Sequence, residues 1–225
     1  MLLRCEVGAA DTAEGGPSAS GWLRAETLES VAELNEMSLA LLAEQAAASA
    51  PQTGAALAPL AELWPYLDAA ARRRAAACPY LLLEAGFTDL RRWQEATAGQ
   101  VTEAREPAYS SFFTVPAALE AARLVFTYAW HLASTQPAAA RLFLGMPAPC
   151  AAAISRCSLR QMYALAERHP EWLRPRWADR PEIWRELLAA AATGESAVLE
   201  RARLHGLTLL AAEVRHAPQE KPVRS

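Results

Sequence analysis

One pattern, written twice about 90 residues apart, limits this chain more than any other feature. The first copy holds Pro79, Leu82, Phe87, Asp89 and Trp93; the second holds Pro170, Leu173, Trp177, Asp179 and Trp184. In each copy a capped helix is expected before the proline, from Asp68 onward and from Ser158 onward. Proline lacks an N–H and ends the helix before it. The aromatic plugs the corner, and the aspartate side chain caps the next helix. Such a corner needs helices on both sides and no chemistry. Two copies predict an all-α fold, a short-helix bundle with two related halves made by internal duplication.

Periodicity and breakers place the remaining elements. A helix is predicted over 27–49, with Ser30 and Glu33 as a capping box. Leu28, Val31, Leu34, Ser38, Leu41, Leu42 and Gln45 trace its broad, mostly apolar face, while Glu29, Glu33 and Glu36 form a solvated acidic one. Pro51-Gln52-Thr53-Gly54 breaks the chain, and short helices follow over 57–64 and 68–77. The run Tyr80-Leu81-Leu82-Leu83 is helical or extended, and Asp89 caps a helix through about 98. The second half opens on a helix over 116–134, with Pro116 in its first turn. Helices over 137–144, 148–156, 158–168, 181–192 and 195–214 follow, with Asp179 or Arg180 near the cap of the fourth. The expected division is a disordered lead (1–25), a first helical unit (26–98), a linker (99–115), a second unit (116–214) and a tail (215–225).

The chain has 225 residues, is 52% hydrophobic and carries a formal net charge of -3, so no global positive charge calls for nucleic acid. The distribution says more. Residues 1–65 hold nine acids and two arginines, whereas 141–185 hold eight arginines and four acids. Cys5, Cys78, Cys150 and Cys157 form no CxxC, which predicts reduced thiols and a cytoplasmic protein. No apolar run approaches the ~18 residues of a membrane span, and the N-terminal apolar run is too short for a signal peptide.

Catalytic signatures are missing from the sequence. His131, His169, His205 and His216 make no HExxH and no paired Cys/His spacing. Cys150, Cys157 and His169 read as two buried thiols and a helix-terminal imidazole rather than a metal site. There is no phosphate loop and no G-x-S-x-G elbow. No enzyme, metal or cofactor is expected.

The functional lead lies in 137–168, three short helices with tight turns, a layout compatible with a helix-turn-helix. Leu159, Met162, Tyr163 and Ala166 make an apolar stripe on the third and are expected to be buried. Arg160, Gln161 and Arg168 lie off that stripe. With Arg156, Arg174 and Arg176 they form the candidate DNA-binding set, for phosphates or base edges. Arg160 and Gln161 are expected to leave the fold intact when replaced.

The run Leu144-Gly145-Met146, an Ala-rich helix, then Ser158-Leu159-Arg160-Gln161-Met162 and Leu165-Ala166-Glu167 resembles the flagellar transcriptional regulator FlhD family. The resemblance covers roughly 141–185. The helix at 116–134 is similar to that family's leading helix, as is Glu33-Leu34-Asn35 with Ser38-Leu39 and Leu41-Leu42 in the first half. The resemblance implies an all-α dimerising regulator that acts on promoters with a partner subunit. A duplicated unit would then mimic a dimer within one chain. The alternative is a helical adaptor, chaperone or assembly protein without DNA contacts. Either reading expects a protein partner or homodimer and no membrane.

Overall fold

Asn35 sits where two stretches of backbone must be satisfied at once, and it is fully buried. Its amide donates to the carbonyls of Ala76 (3.0 Å) and Tyr80 (2.9 Å), and its Oδ1 accepts from Leu82 N–H at 2.8 Å. One side chain thus fastens the first helix, α1 (Ala25–Ala47), to the first corner. The computed structural model describes residues 25–47, 60, 62–98, 112–113 and 115–217. Residues 1–24 of the predicted lead, half of the helix predicted over 57–64, most of the 99–115 linker and the end of the tail lie outside the described residues.

After α1 come α2 (Ala69–Ala76), β1 (Leu83–Glu84) and α3 (Leu90–Thr97). Then follow α4 (Val115–Thr135), α5 (Pro137–Leu144), α6 (Ala148–Ser155) and α7 (Leu159–Arg168). A 3-10 turn, Pro170–Trp172, leads to β2 (Arg174–Pro175), α8 (Pro181–Thr193) and α9 (Ser196–His216). The fold is all-α, as the corner pattern predicts. The strands are two residues each and pair antiparallel, Leu83 with Pro175 and Glu84 with Arg174. The Tyr80–Leu83 run is therefore not helical; Leu83 at its end begins β1. Residues 215 and 216 extend α9 rather than open the tail.

Side-chain caps fix the starts of α2, α3 and α7. Asp68 accepts from Ala71 N–H and Asp89 from Arg92 N–H, each three residues on. Ser158 and Gln161 form a reciprocal capping box at the start of α7. The expected Ser30–Glu33 box is not formed. The helix starts one turn earlier, and the Ser30 hydroxyl donates back to the Glu26 carbonyl inside it. At α8, Pro181 occupies the first turn and no side chain caps it.

The corners share local features. Each has one residue of positive φ, Gly86 at 64° in the first and Trp177 at 52°, one position further on, in the second. The Trp93 indole N–H donates to Gly86 O (3.0 Å) and that of Trp184 to Arg176 O (2.6 Å). Both tryptophans are buried. Trp93 stacks on Phe87, with ring centroids 6.1 Å apart. In the second corner the Trp177 ring meets Tyr80 in a T-shaped contact, centroids 5.6 Å apart, and its indole N–H donates to Glu213.

Packing crosses between the two stretches. α1 packs on α2 and α4 packs on α7, but α3 packs on α6 and α8 on α2. One buried cluster runs from Val31 through Phe126 to Leu210. No single helix among the described residues is long and apolar enough to cross a membrane.

Candidate functional site

Helices α5, α6 and α7 carry the candidate face. Gly145 ends α5 in the left-handed conformation (φ 67°), where a Cβ would strike Leu210. Pro147 then starts α6. Arg156–Ser158 is all the chain between α6 and α7, and both helices pack on α4. Two bonds hold that turn: Cys157 N–H donates to Ile154 O (3.0 Å), and the Trp130 indole donates to Cys157 O (2.7 Å).

The inward side of α7 is Met162, Leu165 and Ala166. Leu159 and Tyr163, expected inside, are both exposed at 43%. Leu159 is the first residue of the helix, and Tyr163 lies one turn above it on the same edge. The core therefore meets α7 along a face rotated away from the predicted stripe. Arg160, Gln161 and Arg168 are exposed as expected, and Arg156 stands exposed just before the helix. Two of these guanidinium groups also bond locally, Arg156 Nε to Ala152 O and Arg168 Nε to Ala164 O. Gln161 is more than a surface amide, since its Oε1 accepts from Ser158 N–H at 2.7 Å. Its replacement removes half of the cap.

Two members of the predicted set are engaged within the fold. Arg176 is 2% exposed. Its Nε donates to Leu81 O (3.0 Å), its NH2 to Leu144 O (2.9 Å), and Glu213 lies 3.8 Å from its NH1. A guanidinium held by three elements inside the core cannot reach a phosphate, so Arg176 is structural. Burial pushes its pKa down, against the opposing pull of Glu84 and Glu213. Arg174 is ion-paired with Glu84 across the β1–β2 pair, a partner that a phosphate would have to displace.

Behind the C-terminal end of α7, His169 stacks on Trp172 (4.5 Å), Arg92 lies over the same indole (5.2 Å), and His169 Nδ1 meets Glu171 at 3.0 Å. Trp172 also makes a T-shaped contact with Trp93, so this group ties the turn after α7 to α3. Cys78, Cys150 and Cys157 are buried. Burial pushes the Cys78 and Cys150 thiols up to about 11 and that of Cys157 in the same direction, which makes them poor nucleophiles at neutral pH. Among the described residues no group of three His, Cys, Asp or Glu is placed to hold a metal ion.

Sequence reasoning missed the exposed pair Leu159 and Tyr163 and the interior position of Arg176. A helical wheel locates an apolar stripe but not which of its edges the neighbouring helix covers. Comparison with family models, curated proteins and solved structures finds no match.

Proposed function

We propose that this chain is a helical transcription regulator of FlhD-like type, acting on DNA together with a partner subunit, with α7 as its reading helix. The observation that supports this most is the exposed polar face of α7. Arg160 and Gln161 lie in its first turn, Arg168 at its end and Arg156 just ahead of it. The N-terminal residues of such a helix meet base edges, and arginines alongside hold phosphates. Arg160 is then the candidate base contact, and Arg156 and Arg168 the phosphate contacts. The likeness of the two corners supports an internal duplication behind this architecture.

The test is binding to promoter fragments over a range of salt, with any partner subunit present. Arginine-mediated binding weakens steeply with salt. Arg160→Ala is expected to cost about 1–3 kcal/mol of binding if it removes a base contact, with no change of fold. Wild-type protein showing no salt-sensitive DNA affinity, with or without partner, would put the adaptor reading ahead. Leu159 and Tyr163 favour that second reading, because an exposed apolar pair on a helix suits a protein partner.

A further inference from the structure

We propose that the exposed edge of α7 docks into a cleft between α1 and α9 of a second copy of this chain, in a head-to-tail contact. The cleft has a volume of about 340 Å³. Leu28 and Ala32 of α1 and Pro79 of the first corner line it, and Glu29 and Glu200 bring acid to it. Arg203 also lines it, but this charge is already answered: one guanidinium nitrogen faces Glu200 at 3.7 Å and another donates to Arg74 O at 2.7 Å. Exposed Leu204 lies next to Arg203 on α9, while Glu33 and Glu36 continue the acid along the exposed side of α1.

The edge of α7 is the complement in two independent properties. Leu159 and Tyr163, one turn apart, supply an exposed apolar knob. Arg156 and Arg160 bring positive charge to the same short segment. Both surfaces are exposed in the single chain, so they do not cover each other there. Joining them across two chains buries apolar area and pairs opposite charge. The two surfaces differ, so the contact is heterologous and each copy keeps one free surface of each kind. Arg156 and Arg160, both assigned to DNA, would be occupied in this assembly, so DNA and self-association would exclude one another. The docking itself does not rest on the DNA reading.

Light scattering and sedimentation of the full chain, without DNA, provide the test. The expected result is a mass that rises with concentration up to about 100 µM and an association at least about tenfold weaker in high salt than in low. Arg160→Glu and Glu29→Arg each change one exposed residue, and circular dichroism checks that the helices persist. Each variant alone should stay monomeric. Their equal mixture should associate, because the unaltered α7 edge of one meets the unaltered cleft of the other and the altered pair keeps opposite charge. A wild-type monomer throughout that range in low salt would overturn the proposal, as would a mixture no more associated than its parts. Failure of the DNA reading is separate: Glu29→Arg leaves the α7 face intact and should bind DNA as wild type does.

Discussion

At the scale of single residues, buried polar groups decide more than their number suggests. Asn35→Leu would leave the Ala76 and Tyr80 carbonyls and the Leu82 amide without their partner. Each orphaned buried group costs about 1–3 kcal/mol, so urea unfolding should show a loss of about 3 kcal/mol or more. Arg176→Met should cost about 3–5 kcal/mol, since it abandons two buried carbonyls and a nearby carboxylate. Arg160→Ala should stay within about 0.5 kcal/mol of wild type, and Gln161→Ala should lose about 1 kcal/mol with its half of the cap. If Arg160→Ala matched Arg176→Met in cost, the outward orientation of α7 would be wrong. The thiols give a pH dependence. Cys78 has its folded pKa raised from 9.0 to about 11 by burial. The folded protein holds that proton more tightly than the unfolded chain. This contribution to stability is therefore complete below the unfolded value and lost as pH rises through the folded one. Urea midpoints should decline between about pH 9 and 11, and Cys78→Ser should flatten part of that decline. Equal slopes in the two proteins would remove Cys78 from the cause.

At the scale of elements, what was legible in the sequence was local. Asp68, Asp89, Ser158 and the prolines mark their helix ends because a cap or a missing N–H acts within one turn. The stretch from α4 to α9 was therefore readable almost residue by residue. Three features were not, and each depends on a distant partner. β1 and β2 are too short for any alternation to appear. Arg176 lies among other arginines in the sequence and differs only in what surrounds it. The rotation of α7 is set by α4, so Leu159 and Tyr163 look like core on a wheel and are exposed in the fold. Gly206 is a further such case, a glycine inside α9 where a helix former would be expected. A Cβ there would strike the ring and hydroxyl of Tyr80, so the missing side chain lets α9 lie against the first corner. Gly206→Ala gains about 1 kcal/mol of helix propensity. Overpacking a buried contact costs about 1–3 kcal/mol. The wall here is a fixed aromatic ring rather than a flexible chain end, so the cost should win. Thermal unfolding is expected to fall for Gly206→Ala, with partial recovery on adding Tyr80→Phe. A variant more stable than wild type would mean that α9 does not approach Tyr80 so closely.

At the scale of the whole molecule, the two halves are interlocked rather than adjacent. α3 belongs to the first half by sequence, yet Trp93 meets Phe126 at 5.6 Å and Trp172 at 5.4 Å, both from the second. α8 belongs to the second half and packs on α2, where Arg74 Nε donates to Ala191 O at 2.8 Å. β1 and β2 join across the same boundary, and Arg176 N–H donates to Leu82 O. Neither half can therefore complete its own core. The chain divided after residue 98 should yield two fragments that lack a cooperative transition when separate. Each would expose the surface that the other buries, Trp93 in one and Phe126 with Trp172 in the other. Expressed together, the fragments should purify as one complex with the helical spectrum of the intact chain. Covalent linkage supplies an effective concentration of about millimolar order, so the divided protein should also become less stable on dilution while the intact one does not. The comparison is urea unfolding of the pair at several concentrations beside the intact chain. A fragment that unfolds cooperatively alone, at the midpoint of the intact protein, would show that the crossing contacts of α3 and α8 contribute little and that each half is its own folding unit.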